Sequence, residues 1–162
     1  MECGNVNEIP MVFIKNGMLI WEKKNAFYAL KEMHKKYDDV YIIDIDGFKK
    51  NKANIDIYKK VSSKPFLWVD SRPRYPEDVM DLVITGAKIV VLRPIMDDDA
   101  LREIKRMCEI EIFLADKDVK IIKKARKFGF DGVVLFNVEG NVENDIPIWI
   151  AYPGKRKVIK LG

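Results

Sequence analysis

The sequence predicts an α/β protein, a parallel βα repeat that forms a reduced or incomplete TIM-type (βα) barrel. Three observations predict it. Five short apolar runs, Val40–Asp46, Pro65–Asp70, Lys88–Arg93, Glu109–Asp116 and Asp131–Asn137, each end in a polar residue, and their starts lie 25, 23, 21 and 22 residues apart. One helix-length amphipathic stretch separates each run from the next, and apolar runs alternating with helices read as parallel strands buried on both faces. After Asn137 the repeat stops. Two strand-like pieces, Ile148–Tyr152 and Val158–Leu161, follow, joined by Pro153-Gly154 with no room for a helix.

Each element has its own signal. Residues 1–10 read as a loose lead-in. Met11–Ile14 and Met18–Trp21 flank Lys15-Asn16-Gly17, and Asn-Gly between two apolar stretches signals a hairpin. Asn25–Tyr37 reads as a helix, with Phe27, Leu30 and Met33 spaced by three. A second helix spans roughly Ile55–Ser62. The third has Pro76 just inside its start and Gly86 just past its end, with Glu77 and Asp78 in a first turn that favours acidic groups. The fourth opens on Asp97-Asp98-Asp99, read as a capping cluster rather than a metal site, and runs to about Met107. The fifth covers Val119–Phe128 and stops at Gly129. Glu139–Asp145 is rich in turn formers.

A complete eight-fold βα barrel needs about 250 residues, with about 200 near the low end. This chain has 162 and reads as a single domain, 1–162. The tail strands and the N-terminal strand could close a reduced barrel without the last helices. Alternatively the sheet stays open and a second copy of the chain covers its edges. The reduced barrel is favoured over a doubly wound, flavodoxin-type sheet. Too few helices exist to cover eight strands, so an apolar flank and self-association into a homo-oligomer are expected.

Composition excludes several classes. An apolar fraction of 48% and a charged fraction of 33% fit a globular chain, and the net charge of +4 is spread over helix faces with no basic-aromatic cluster. Nucleic acid is therefore not an expected partner. Cys3 and Cys108 form no CxxC, and the lone His34 has no partner at ligand spacing, so neither a disulfide framework nor zinc is expected. No apolar run reaches the length of a membrane span or resembles a signal peptide, and a cytoplasmic location is expected. Gln is absent, Thr85 is the only threonine, and Lys, Glu and Ile abound, a bias that resembles thermophile surface chemistry and that low genomic GC also produces. No G-x-S-x-G, G-x-G-x-x-G or Walker loop occurs. Trp21, Trp68 and Trp149 read as core or rim packing, and Cys108 as a small buried apolar residue.

In parallel sheets the ligand site lies at the carboxyl ends of the strands. Those ends carry Asp44, Asp46, Asp70, Arg72, Arg93, Asp116 and Asn137, with Arg74 just beyond. Asp44 and Asp46 lie two apart and are expected to point into the barrel mouth, with Ile43 and Ile45 on the helix side. Asp116 is in phase with Ile112 and Leu114, and Asn137 with Val133 and Leu135. Converging carboxylates suit general acid–base work, with Asp116, Asp44 and Asp46 as catalytic candidates. No resident cofactor is expected, although such oxygen ligands are of the kind Mg²⁺ takes. Asp70, Arg72, Arg74, Arg93 and Asn137 are the candidates for holding an anion, Arg72 and Arg93 facing Asp116. The competing explanation is that the carboxylates cap following helices or pair with these arginines, Asp70 with Arg93 first among them.

The segments VYIIDIDGF followed by Asn54-Ile55-Asp56, KPFLWVDSRPRYPEDV and GAKIVVL resemble the second to fourth strands of the histidine-biosynthesis βα-barrel isomerases and their cyclase relatives. VFIKNGMLI, EIFLAD and FDGVVLFNVEG resemble further strands more weakly. The resemblance implies a (βα) barrel that handles a phosphorylated metabolite. It also exposes departures. Phe13 stands where the family has its first-strand Asp, and a phenyl ring cannot transfer a proton. Asp70-Ser71-Arg72-Pro73-Arg74 replaces the glycine-rich phosphate loop, and Arg93-Pro94 replaces a Gly-Thr pair. Only the fifth-strand Asp is retained, as Asp116. The family's isomerisation is therefore not expected here. Two functions remain: acid–base chemistry, isomerase- or lyase-like, on a small phosphorylated or carboxylated metabolite, or a noncatalytic metabolite-binding or assembly subunit.

Overall fold

A computed structural model of the chain describes residues 7–61, 64–140, 142 and 145–161. Its strands are β1 (Glu8–Lys15), β2 (Met18–Leu19), β3 (Lys24–Asn25), β4 (Val40–Asp44), β5 (Leu67–Asp70), β6 (Ile89–Leu92), β7 (Glu111–Asp116), β8 (Gly132–Phe136), β9 (Ile148–Tyr152) and β10 (Lys157–Lys160). The helices are α1 (Ala26–His34), α2 (Ile45–Lys50), α3 (Ile55–Val61), α4 (Pro76–Ile84), α5 (Asp98–Met107) and α6 (Ile121–Phe128). Strands β1, β4, β5, β6, β7, β8 and β9 run parallel in that order, and β10 pairs antiparallel with both β9 and β1. The sheet is thus a closed eight-stranded barrel, with β2 and β3 a small appendage on β1.

An antiparallel last strand is what lets so short a chain close. A parallel eighth strand needs a crossover of a dozen or more residues, whereas an antiparallel one needs only a tight turn. Here Pro153–Lys155 forms one 3₁₀ turn and Arg156 adopts φ +50°, so β10 returns directly beside β9. Its far edge meets Glu8, Ile9 and Pro10. The expected loose lead-in is therefore a barrel strand from Glu8 onward, while residues 1–6 lie outside the described residues. Closure removes both free edges of the main sheet.

The remaining boundaries follow local chemistry. Asn16 and Gly17 both have positive φ, as a two-residue hairpin turn between β1 and β2 requires. Asn25 caps α1 through Tyr28 N, Asp97 caps α5 through Ala100 N, and Gly129 ends α6 at φ +72°. The first of the five apolar runs splits: its strand stops at Asp44, and residues 45–50 form α2, although the apolar pattern continues to Asp46. Ser62, the expected end of the second helix, lies outside the described residues.

Two apolar layers result. Val12, Ile42, Val69, Val90, Leu114, Val133 and Ile150 face the helices, whereas Met11, Tyr41, Trp68, Val91, Phe113, Val134 and Trp149 fill the barrel. Trp68 packs edge-on against Phe113 and Trp149, with centroids 5.2 and 5.0 Å away, so the interior is a packed core and not a channel. Among the described residues, the helix-poor side exposes no large apolar side chain. Ile148 and Leu135 are fully buried there, because Val138, Val142, Ile146, Tyr152 and Leu161 pack over the same layer in place of a helix. Arg126 of α6 pairs with Asp145 and ties this segment down. No helix among the described residues is long and apolar enough to cross a membrane.

Candidate functional site at the barrel mouth

Parallel pairing places Asp44, Asp70, Arg93, Asp116 and Asn137 at one end of the barrel. Strand alternation then decides which of them face inward. On β5, Trp68 lies in the interior, so Asp70 does too, and it is fully buried. Arg93 follows β6 in phase with the interior residue Val91. Its Nε and Nη2 donate to the two oxygens of Asp70 at 3.0 and 2.7 Å. The Tyr41 hydroxyl donates to Asp70 Oδ2 at 2.6 Å from below. The guanidinium carbon stands 4.4 Å from the Phe136 ring centre and 5.0 Å from that of Phe48. Burial alone would lower the Arg93 guanidinium, but the charge and hydrogen bonds of Asp70 outweigh it, with help from Asp116, and hold it above its ordinary value. Tyr41 is pushed up by burial and then by Asp70, so it stays a protonated donor.

The pairing that competes with the expected anion site is present: Asp70 is the counter-ion of Arg93. Nη1 of Arg93 nevertheless makes no hydrogen bond among the described residues. Arg72 sits at φ +56° just beyond β5, half-buried, and its guanidinium has no hydrogen bond or ion pair among them either. Arg74 is committed elsewhere: it donates to the carbonyls of Gly47, Phe48 and Arg72, closing the C-terminal end of α2. Burial and the neighbouring Arg72 charge lower its guanidinium. Asn137, exposed at φ +55°, turns the chain away from the mouth while its N–H donates to Ala151 O.

The expectation that Asp44 and Asp46 point into the barrel is overturned. Ile43 belongs to the interior cluster and Ile42 to the helix-facing one, so Asp44 faces the helices. It is fully buried there because four donors meet it: Gly47 N at 2.9 Å, Asn54 N at 2.7 Å, Asn54 Nδ2 at 3.0 Å and the Tyr58 hydroxyl. Burial, followed by the Asp44 charge, raises Tyr58 and keeps it a donor. Asp46 lies in α2 rather than on the strand, so a period of two does not govern it. Its Oδ2 accepts from Asn16 N at 2.7 Å and Asn54 Nδ2 at 2.9 Å. Asp116 shares the helix-side phase of Ile112 and Leu114, and its Oδ1 accepts from Lys117 N at 2.8 Å. Asp44, Asp70 and Asp116 therefore do not form one carboxylate cluster. Among the described residues no group of three or more acidic, His or Cys side chains could hold a metal ion.

Phe13 ends the interior row of β1 and meets the exposed Trp21 edge-on at 6.4 Å. Sequence reasoning missed Tyr41, Phe48 and Phe136, the groups that hold Asp70 and Arg93. Tyr41 was legible in principle, two residues before Ile43 on the interior phase. A separate concavity of about 330 Å³ opens on the rim beyond β1 and β4, beside Asn16, Asp46 and Asn54.

No family model matches the chain, and no curated protein matches it. Among solved structures it is similar to a protein from Coccidioides immitis described as of the dihydrodipicolinate synthase family, with a TM-score of 0.56 and 11% identity over 85% of this chain and 55% of that one. The chain thus spans about half the length of that structure. At this identity the likeness shows the barrel fold alone.

Proposed function

We propose that this protein binds a small anionic metabolite, phosphorylated or carboxylated, at the barrel mouth, as a divergent and noncatalytic relative of the histidine-biosynthesis barrels. The observation that carries this reading is Arg93. It is fixed at the mouth by a bidentate carboxylate and two aromatic faces, yet one guanidinium nitrogen is left over. A donor held in place by other groups loses little entropy when a ligand arrives. Arg72 supplies a second cation, unpaired among the described residues, after the neighbouring strand. Fork-shaped guanidinium donors suit phosphate and carboxylate oxygens.

The noncatalytic half rests on the carboxylates. Asp44 is saturated by protein donors, Asp70 is locked to Arg93, and Phe13 has no proton to give. Asp46 lies apart on the rim, in α2, so at the mouth Asp116 is left for proton transfer without a partner acid among the described residues.

Thermal denaturation with phosphate or malonate, against chloride at equal ionic strength, tests the reading. Saturable stabilisation is expected for the wild type, because the ligand binds only the folded state. Arg93→Lys keeps a charge beside Asp70 but removes the free Nη1, and is expected to abolish the effect. Equal anion stabilisation in the two proteins, or none in the wild type, overturns the reading.

A further inference from the structure

The rim concavity beside Asp46 lies apart from the Arg93 cluster and has a different chemistry. Asp46 is 7% exposed, and its Oδ1 accepts from no donor among the described residues. Asn54 is oriented without ambiguity, because its Nδ2 donates to both Asp44 and Asp46 and an amide oxygen there would face two carboxylates. Its Oδ1 is therefore turned away from both carboxylates, and it too has no donor among the described residues. Two acceptors, one of them charged and nearly buried, thus border a concavity of about 330 Å³.

The lining also includes Lys50 and Lys52, both exposed and neither in an ion pair among the described residues, together with Asp56. Two acidic and two basic side chains balance. A free divalent cation would meet the lysines, and an inorganic anion would meet Asp46 and Asp56. Ile55 and Ile57 supply apolar lining. Small-molecule sites are typically concavities of about 300–1,000 Å³ with a few placed polar groups.

We infer that this rim concavity binds a small zwitterion of the α-amino-acid class, its ammonium on Asp46 Oδ1 and Asn54 Oδ1 and its carboxylate toward Lys50 and Lys52. The two acceptors select a group with several N–H donors, and the lysines select one whose other end is negative. A side chain no larger than a few carbons fits against Ile55 and Ile57. The assignment does not depend on the anion reading at Arg93.

Amide NMR titration of the full chain tests it, with L-alanine as the probe and methylammonium and acetate as its separated halves at matched ionic strength. L-alanine is expected to shift the Asn16 and Asn54 amides saturably in the millimolar range, and each half to bind at least about tenfold more weakly. Lys50→Met/Lys52→Met changes exposed side chains only; it should weaken L-alanine about tenfold and leave methylammonium unchanged. Asp46→Asn keeps an acceptor for Asn16 N but removes the charge, and should abolish binding of both, with a thermal melt confirming that the variant folds. No saturable shift with L-alanine overturns the inference. So does equal binding of methylammonium or Mg²⁺ and L-alanine that is indifferent to the lysines, which would make the concavity a cation site only.

Discussion

Arg93 and Asp70 meet inside the barrel mouth as a bidentate pair, with the carboxylate fully buried and the guanidinium pressed between Phe48 and Phe136. The pair joins β5 to β6 through side chains just above the last backbone pairing, Asp70 with Val91.

Removing the arginine should therefore cost stability before it affects any ligand. Arg93→Met leaves Asp70 buried with only Tyr41 as donor. Breaking a buried pair from one side costs about 3–5 kcal/mol. Urea unfolding is expected to show a midpoint lowered accordingly with an unchanged slope. A loss under about 1 kcal/mol would mean that water reaches Asp70 and that the mouth is open.

The repeat itself was legible because burial on both faces leaves an unbroken apolar signature in each strand. Both closing strands were visible too, since Ile148–Tyr152 and residues 158–161 have no room for helices between them. The inward direction of Asp44 was not. Solvent at the mouth made it reasonable to send a carboxylate inward. Asn54 and Tyr58, ten and fourteen residues on, offered instead a dry pocket of donors, and no local pattern announces such a pocket. Asp46 was misread for another reason: α2 begins at Ile45 within what looks like one apolar run. The Asp70–Arg93 pair was readable as two opposite charges ending adjacent strands. Its aromatic clamp was not, because Phe48 reaches it from a helix whose existence the sequence concealed.

Asp44 is expected to behave as an organiser of the α2–α3 segment. Its four donors come from Gly47, Asn54 and Tyr58, and hydrogen bonds to a charged acceptor contribute about 1.5–3 kcal/mol each without being additive. Asp44→Ala should lower stability by at least about 3 kcal/mol. Hydrogen exchange should quicken first in α2 and α3 rather than around the whole barrel. Uniform quickening would show that Asp44 acts on the barrel as a unit.

Gly47 is needed for closeness rather than for backbone freedom. A Cβ placed on it would lie 2.6 Å from both Cβ and the carbonyl oxygen of Ser71, so α2 would have to lift off the end of β5. Gly47→Ala should destabilise by about 1–3 kcal/mol, the usual cost of overpacking. It should also displace Phe48 from Arg93. Fluorescence of Trp68, beneath the pair, is a convenient first reading, and an unchanged stability would mean the helix shifts freely.

Alkaline pH should unfold the protein through Tyr41 and Tyr58. Both are fully buried, both donate to a buried carboxylate, and both have their ionisation raised well above the ordinary value of 10.0, by burial first and then by Asp70 or Asp44. The sign follows from proton counts. Between the unfolded and folded values the native state keeps protons that the unfolded chain has released, so stability falls as pH rises. It is fully present below about pH 10 and declines steadily above it. In a spectrophotometric titration Tyr41 and Tyr58 should ionise only with loss of the circular-dichroism signal. Tyr58→Phe removes one of the two groups and one donor to Asp44, so it should lower stability at neutral pH while flattening the alkaline decline. An alkaline decline as steep as that of the wild type would place the linkage on other groups.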